Sequence, residues 1–289
     1  MVNKCHKFFV SSTNSNHFNV QGVDMFFYEI KKISFLLFIF SLSFSSYCLA
    51  DSMPEKQVVN IIKKLPHDVT TFTEGLEIDD GFLYESGGQY KRSKVSKIDL
   101  KSGKVIKAIT IPDQYFAEGL TEIHNRLYLL TWKEGKVFVL DPNTLAIKNE
   151  FEYQGEGWGL TNDGTHLVMS NGTSEIAFRD PRDFSLLKSI TVTFNGKKVE
   201  KLNALQWING CIYANVWFTD DVVVIDPATG RVIKWIDLAS LHLQNDLLDK
   251  RSNVANGIAL DKRNGKIYFT GKRWSNMYEV KIIKSKDNF

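Results

Sequence analysis

The sequence predicts an all-β fold, because one motif centred on a small residue recurs five times and each copy leads into a similar series of short strands. The central small residues are 44, 40, 45 and 53 positions apart. That period is typical of a four-stranded propeller blade. We therefore predict a five-bladed β-propeller with four-stranded blades. The five motifs are Phe72-Thr73-Glu74-Gly75-Leu76, Phe116-Ala117-Glu118-Gly119-Leu120, Gly157-Trp158-Gly159-Leu160, Leu202-Asn203-Ala204-Leu205 and Ala255-Asn256-Gly257-Ile258.

The strands of each unit follow a common order. A second strand of the Leu-Tyr type begins about eight residues after the central small residue, as at Leu83-Tyr84. A β-branched third strand follows, and a fourth strand such as 105–109 completes the unit. In four units the third strand ends on an aspartate, which we interpret as a turn former that bonds to its own backbone. These aspartates are Asp99, Asp141, Asp180 and Asp226.

The last unit is short of one strand. Its residues, 257–283, have room for only three strands, whereas the strand-like stretch 56–65 precedes the first motif. We predict that residues 56–65 supply the missing outer strand of the last blade, which closes the ring and removes an exposed edge. A polar insert, 238–253, lengthens the spacing before the fifth motif, and its leucines 241, 247 and 248 suggest a short helix.

The first 50 residues have the composition of a leader. Residues 25–50 predict a signal peptide, with Lys31-Lys32, an apolar run of about 12 residues and the small-residue cleavage site Cys48-Leu49-Ala50. An uncleaved anchor and a lipoprotein at Cys48 are weaker alternatives, because the apolar run is short for a bilayer and Tyr47 stands where a small residue should. Residues 1–24 are polar and patternless, and we interpret them as a disordered or spurious extension before a start at Met25.

These assignments leave residues 51–289 as one propeller domain, secreted or periplasmic, with no membrane anchor after cleavage. The first 50 residues hold four lysines and two acidic residues, so 32 basic and 31 acidic side chains remain. That balance gives no electrostatic case for nucleic acid. Cys211 is the one cysteine of residues 51–289, and its apolar strand indicates core packing. A closed propeller needs no partner, so we expect a monomer.

The position of each motif in a blade predicts a site. The first strand of a propeller blade lines the central channel and the second runs back beside it, so the start of one and the end of the other share a face. One channel mouth should then carry two carboxylates, two amides, an ammonium and three indoles. The side chains before the small residues are Glu74, Glu118, Trp158, Asn203 and Asn256, and those at the aligned second-strand ends are Gly88, Trp132, Gly172, Trp217 and Lys272.

Two carboxyl groups at one mouth indicate proton-transfer chemistry. Burial and like-charge repulsion raise the pKa of at least one of them, so that it can exchange a proton near neutral pH. A lysine can hold one carboxylate ionised or stabilise an oxyanion, and indoles form an apolar slot. Two alternatives are a polar channel around trapped water and a structural calcium ion bound by Glu74, Glu118 and Asn203. The histidines 67, 124, 166 and 242 lack metal-ligand spacing, and we expect them in surface or loop positions.

Several segments resemble the plant and bacterial glutamine cyclotransferases in the same order over residues 66–283. The resemblance implies a five-bladed propeller that converts the N-terminal glutamine of a peptide or protein into pyroglutamate, with loss of ammonia and without a metal cofactor. The segments are the motifs at Glu118, Trp158 and Asn203, together with Glu85-Ser86-Gly87-Gly88, Ala214-Asn215-Val216-Trp217 and Thr270-Gly271-Lys272-Arg273-Trp274.

The resemblance also implies roles for individual residues. Glu118 would be the catalytic acid and base, with Asn203 and Lys272 as catalytic polar partners. The substrate-binding residues would be Phe72, Glu74, Trp132, Trp158 and Trp217.

The chain departs from the family pattern at two positions. Plant members tend to have Gln where Glu74 stands, and a Glu where Ala204 stands. Glu74 leaves open which carboxylate carries the proton, because a close pair titrates as a unit. Two other functions remain as alternatives, namely a non-catalytic propeller that binds peptide N-termini and a calcium-dependent propeller hydrolase.

Overall fold

The computed structural model of the protein describes residues 54–245 and 253–286, which lie in one compact unit. The predicted extension 1–24 and the predicted signal peptide 25–50 lie outside the described residues. The described strands are β1 Glu55–Pro66, β2 Thr73–Asp79, β3 Phe82–Gly87, β4 Lys94–Asp99, β5 Val105–Thr110, β6 Ala117–Ile123, β7 Arg126–Thr131, β8 Lys136–Leu140, β9 Ile147–Glu152, β10 Leu160–Asn162, β11 Leu167–Ser170, β12 Glu175–Arg179, β13 Leu186–Thr191, β14 Thr193–Phe194, β15 Lys197–Lys198, β16 Leu202–Ile208, β17 Cys211–Val216, β18 Asp221–Ile225, β19 Val232–Asp237, β20 Ala255–Asp261, β21 Lys266–Gly271 and β22 Asn276–Lys284.

The described strands confirm an all-β fold built from four-stranded blades. Three sheets each consist of four consecutive antiparallel strands, β2 to β5, β6 to β9 and β10 to β13. A larger sheet has eight strands in the order β16-β17-β18-β19-β1-β22-β21-β20, and β14 with β15 forms a small hairpin. The aspartates at the ends of the third strands accept backbone N–H groups two or three residues further on, so the predicted turns are confirmed.

Strand β1 joins two units of four strands into the eight-stranded sheet. It pairs antiparallel with β22, from Gln57 opposite Lys284 to Pro66 opposite Asn276. The prediction that residues 56–65 pair in the last blade is therefore confirmed. The same strand also pairs in parallel with β19 through residues 55–58, which the sequence pattern did not predict. Because β1 uses both of its edges, it covers the edges of β19 and β22 together.

The core lies between neighbouring sheets. Tyr84 and Val95 of the first sheet pack against Leu127 and Phe138 of the second, and all four side chains are buried. Complete burial of an apolar side chain of this size contributes about 1.5–3 kcal/mol. The fourth strand of each four-stranded sheet is mostly exposed, as β5 and β9 illustrate, because it forms the outer surface.

A bulge occurs at the motif in four of the first strands. The pairing register shifts between Thr73 and Gly75, and equivalent shifts lie at the motifs in β6, β16 and β20. A bulge turns a side chain away from the regular alternation of the strand. The small residue allows close approach of neighbouring sheets, since a Cβ atom on Gly119 would lie 2.4 Å from the backbone nitrogen of Leu160.

The predicted short helix is present as Ala239–His242, with Leu241 fully buried, whereas residues 247 and 248 lie outside the described ranges. No helix in the described part of the chain is long and apolar enough to cross a membrane. Cys211 is partly buried against an apolar cluster, in line with the core interpretation. His67 lies in the loop after β1, as expected, but its side chain is only 3% exposed because it pairs with buried Glu85.

Candidate active site

One pocket of about 240 Å³ brings together all eight residues that were predicted as catalytic or substrate-binding. Phe116 is the additional member, and it precedes Glu118 by two positions just as Phe72 precedes Glu74. The same motif alignment could therefore have found it. The lining side chains are Phe72, Glu74, Phe116, Glu118, Trp132, Trp158, Asn203, Trp217 and Lys272.

Backbone hydrogen bonds explain why these residues share one mouth. The N–H of Trp132 donates to the carbonyl oxygen of Phe116 at 3.0 Å, and the N–H of Lys272 donates to that of Val254 at 3.0 Å. Equivalent bonds join residues 88 to 72 and 217 to 201. Each bond places the end of a second strand beside the start of the first strand of its sheet, as the positional argument predicted.

Glu74 and Lys272 form a buried ion pair at the floor of the pocket. The Nζ of Lys272 donates to both carboxylate oxygens of Glu74 at 2.6 Å, and both residues are almost inaccessible to solvent. Asn256 donates to Oε2 of Glu74 at 3.1 Å and to the carbonyl oxygen of Thr73 at 2.9 Å. Asn256, which was predicted at the mouth, therefore acts on the pocket through Glu74.

Glu118 is the second buried carboxyl group, and it lacks a cation of its own. It is 6% exposed and forms a side-chain hydrogen bond with Glu74. Burial raises the pKa of Glu118 well above its usual range, and the charge of Glu74 raises it further against the opposing effect of Lys272. Burial also raises the pKa of Glu74, but Lys272, Glu118 and Asn256 all favour its ionised form. The hydrogen bond between the two carboxyl groups needs one proton, and these surroundings favour Glu118 as its carrier.

Aromatic side chains form the walls above this polar floor. Trp158 and Trp217 meet edge to face with ring centroids 5.2 Å apart, and Phe116 meets Trp132 at 5.5 Å. The ammonium of Lys272 lies 4.3 Å from the ring centroid of Phe72, within cation–π range. The result is an apolar slot with its ionisable groups at the closed end.

Two predicted positions at the mouth are glycines that make room for the walls. A Cβ atom at Gly88 would lie 2.1 Å from the ring of Phe116, and one at Gly172 would lie 2.5 Å from the indole of Trp158. Gly172 also has a φ of +79°, which disfavours other residues. Both glycines therefore determine where the aromatic rings lie.

Glu156 is a functional candidate that the sequence did not indicate. Its Oε2 accepts from the indole N–H of Trp132 at 2.8 Å and from that of Trp158 at 3.0 Å. One carboxylate thus orients two walls of the slot. The signal in the sequence was weak, because Glu156 stands in a glycine-rich stretch and its link to Trp132 spans 24 residues.

Asn203 lines the pocket and carries a buried acceptor without a partner among the described residues. Its side chain is buried, and among the described residues Oδ1 has no hydrogen-bond partner. The backbone carbonyl of Asn203 is held by the hydroxyl of Ser170 at 2.8 Å, which anchors the residue. Buried polar atoms are nearly always hydrogen-bonded, so this oxygen has the character of a ligand contact.

These features together suit proton transfer to a small polar group that is held between aromatic rings. A protonated carboxyl group lies beside an ionised one, and a lysine compensates only the latter. Among the described residues, no group of three or more His, Cys, Asp or Glu side chains is arranged to hold a metal ion. Both carboxylate oxygens of Glu74, a ligand in the calcium alternative, accept hydrogen bonds from Lys272.

Comparison with known proteins identifies the family. The family model described as glutamine cyclotransferase matches residues 35–282. A glutaminyl-peptide cyclotransferase of Arabidopsis thaliana is 34% identical over 260 residues, which cover 86% of this chain and 81% of the plant protein. The crystal structure of Myxococcus xanthus glutaminyl cyclase superposes with a TM-score of 0.76 at 35% identity, over 81% of this chain and 100% of the bacterial one. The chain therefore belongs to the glutamine cyclotransferase family.

Proposed function

We propose that this protein is a glutaminyl-peptide cyclotransferase, which converts the N-terminal glutamine of a peptide or protein into pyroglutamate. The α-amine nitrogen forms a bond to the side-chain amide carbon, and the bond from that carbon to the amide nitrogen breaks with release of ammonia. The observation that carries the proposal is the proton-bearing Glu118 at the floor of an aromatic slot, in a chain whose relatives are named for this reaction.

Glu118 is the proposed proton carrier. A free α-amine has a pKa of about 7.7–8.0, so it is largely protonated at neutral pH and cannot attack. Burial and the charge of Glu74 raise the pKa of Glu118 above that of an ordinary carboxyl group, which makes proton exchange between the two groups less costly. The carboxylate form takes one proton of the ammonium, and the free amine attacks. The resulting acid gives that proton to the departing nitrogen as ammonia forms, and the carboxylate then accepts the surplus proton of the new ring nitrogen and passes it to the ammonia, which leaves as ammonium. Glu118 therefore ends the cycle as it began.

Lys272 and Asn203 have separate proposed tasks. Lys272 holds Glu74 ionised, and the negative charge of Glu74 in turn keeps the pKa of Glu118 high. The third N–H of the lysine ammonium is available to a developing oxyanion on the substrate amide. The free Oδ1 of Asn203 can accept from a substrate N–H group and so fix the side chain in the slot.

The aromatic walls supply the proximity that ring closure requires. A pocket of about 240 Å³ suits one glutamine side chain folded back on its own amine, while the rest of the peptide leaves through the mouth. Holding the two groups of an intramolecular reaction in contact accounts for a large share of many enzymatic rate enhancements. Phe72, Trp132, Trp158 and Trp217 are the proposed contacts to the folded side chain.

We also propose a five-bladed architecture and an extracytoplasmic location for the protein. The eight-stranded sheet corresponds to two blades joined by β1, so with the three four-stranded sheets the ring has five blades. Residues 51–289 form this single domain, and residues 25–50 direct it to a secreted or periplasmic location as a monomer. The reaction proceeds without a metal or another cofactor.

Ammonia release tests the function directly. The purified protein is incubated with a dipeptide that begins with glutamine, with and without a chelator, and we expect metal-independent turnover. An α-N-acetylated copy of the dipeptide is the matched control, because its nitrogen cannot attack. Absence of turnover above the uncatalysed rate would refute the proposal, and peptide binding without ammonia would favour the non-catalytic alternative. Loss of turnover with chelator would indicate a catalytic metal.

A further inference from the structure

The side chain of His67 lies outside the pocket, in the connection between β1 and β2, and both of its ring nitrogens face hydrogen-bond acceptors. Nδ1 is 2.7 Å from the backbone carbonyl oxygen of Trp274, and Nε2 is 2.8 Å from Oε1 of Glu85. The side chains of His67 and Glu85 are each only 3% exposed. Solvent therefore contributes little to the hydrogen bonding of this ring.

The contacts specify the protonation of the ring. A carbonyl oxygen can only accept, so Nδ1 must carry a proton, and an ionised carboxylate can only accept, so Nε2 must carry one as well. With Glu85 ionised, the two contacts together require an imidazolium ion. Burial by itself would lower the pKa of His67, but Glu85, the carbonyl of Trp274 and Asp68 outweigh that effect and raise it.

The other charged groups near the His67 ring either pair with another residue or line the groove beside it. Asp68, which adjoins His67, pairs with Lys94 of β4 at 2.7 Å. Lys63 and Lys64 of β1 line the same groove as His67 and Glu85. Glu85 of β3 is thus the charge in direct contact with the imidazolium.

The two hydrogen-bond partners of His67 connect it to the chain segments that carry Lys272 and Glu74. Trp274 stands two residues after Lys272, in the turn between β21 and β22. Oε1 of Glu85 also accepts the hydroxyl of Thr73 at 2.8 Å, and Thr73 directly precedes Glu74. The ring therefore bridges the two chain segments whose side chains meet at 2.6 Å in the pocket.

Backbone hydrogen bonds connect the same two chain segments. The N–H of His67 donates to the carbonyl oxygen of Ser275 at 3.0 Å, and the N–H of Arg273 donates to that of Thr71 at 2.8 Å. Arg273 has a φ of +57°, so the turn that follows Lys272 adopts a conformation that needs support from its surroundings. His67 supplies that support through the carbonyl of Trp274.

We infer that His67 is a positioning residue, which as an imidazolium ion clamps the segments that carry Glu74 and Lys272, and that loss of its proton as the pH rises loosens the active site. The effect on turnover rests on the proposed function, whereas the effects on ring titration and stability do not. A histidine whose folded pKa is raised stabilises the fold fully below its unfolded pKa of about 6.5. That stabilisation is lost as the pH rises through the folded value.

The kinetic test compares wild type with His67→Asn from about pH 5.5 to about pH 10. The Asn amide replaces Nδ1 and keeps the contact to Trp274, but it loses Glu85. We expect kcat/KM to fall by about 10- to 100-fold at low pH, mostly in kcat, because the ion pair shifts relative to the substrate. The same peptide serves both proteins, so titration of the substrate amine cancels in the ratio of their rates. That ratio should decline towards one as the pH rises and His67 loses its proton in the wild type.

Two further variants sharpen the test. Glu85→Gln keeps an acceptor for His67 and Thr73 but removes the negative charge, which should lower the pKa of His67. The ratio of kcat/KM in Glu85→Gln to that in His67→Asn should therefore decline towards one at a lower pH than the corresponding ratio for wild type. His166→Asn is the matched control, because His166 is 41% exposed and pairs with Asp163 away from the pocket. Its rates should follow those of wild type throughout. A constant ratio of wild type to His67→Asn at all pH values would overturn the inference.

Two measurements remain decisive if the variants are inactive or unstable, or if the proposed reaction fails. Proton NMR should show a His67 ring resonance, assigned by its loss in His67→Asn or its shift in Glu85→Gln, that titrates above 6.5 in the wild type. The difference in Tm between wild type and His67→Asn should shrink from about pH 6 to about pH 9. A ring that titrates at or below 6.5, or a Tm difference independent of pH, would refute the imidazolium clamp.

Discussion

Glu74 and Glu118 occupy the same position in neighbouring sheets, yet their surroundings differ. Each lies within a bulge in the first strand of its sheet, each precedes a glycine, and each is buried. Glu74 receives three hydrogen bonds from Lys272 and Asn256, whereas Glu118 contacts a carboxylate. One position of the motif therefore has surroundings that favour the ionised form in the first sheet and the protonated form in the second. The comparison teaches that the repeat determines where a side chain points, while its neighbours determine its charge.

The largest effect should come from removing the protonated member. Glu118→Gln keeps the shape of the side chain but cannot exchange a proton, so we expect kcat to fall by about 10²- to 10⁴-fold. Far-UV circular dichroism and Tm should stay close to those of wild type. Glu122→Gln, a glutamate on the same strand outside the pocket, is the control and should retain activity. An unchanged rate in Glu118→Gln would show that Glu118 is not the proton carrier and would assign that role to Glu74.

The next largest effect should be a loss of stability on removal of Lys272, the counter-ion of Glu74. Lys272→Met leaves the carboxylate of Glu74 buried without its counter-ion, which typically costs about 3–5 kcal/mol of unfolding free energy. Chemical denaturation measures this loss. Lys266→Met, at the start of β21 and six residues before Lys272, breaks the more exposed pair with Glu279 and should cost no more than about 1 kcal/mol.

A double variant separates the unpaired charge from lost packing. Lys272→Met combined with Glu74→Gln removes both charges, so it should recover part of the lost stability. If the double variant is less stable than Lys272→Met alone, the ion pair does not account for the cost.

The smallest effect should be a shift of the pH profile. Glu74→Gln removes the charge that raises the pKa of Glu118, so the acidic limb of kcat/KM should move to lower pH. Glu77→Gln is the control, because Glu77 is a buried glutamate of the same strand that does not line the pocket. An acidic limb that stays in place in Glu74→Gln would mean that the two carboxyl groups do not titrate together.

The sequence anticipated the composition of the pocket but not the contacts that organise it. Motif alignment placed Glu74, Glu118 and Lys272 at one mouth, because strand alternation and a repeated bulge act on each unit in the same way. His67 and Glu156 were missed for a shared reason. The contact of His67 with Trp274 spans 207 residues, and that of Glu156 with Trp132 spans 24, and neither pair belongs to the repeat.

The sequence by itself determined the all-β class, the repeated unit and the side chains that face the pocket. These properties follow from local rules, namely the two-residue period of a strand, the turn-forming aspartates and the need for a small residue where sheets approach closely. Only the tertiary structure decided that β1 joins two edges, that Lys272 pairs with Glu74 across 198 residues, and that burial beside Glu74 raises the pKa of Glu118. Burial and distance in space set a pKa, and no spacing along the chain encodes either one.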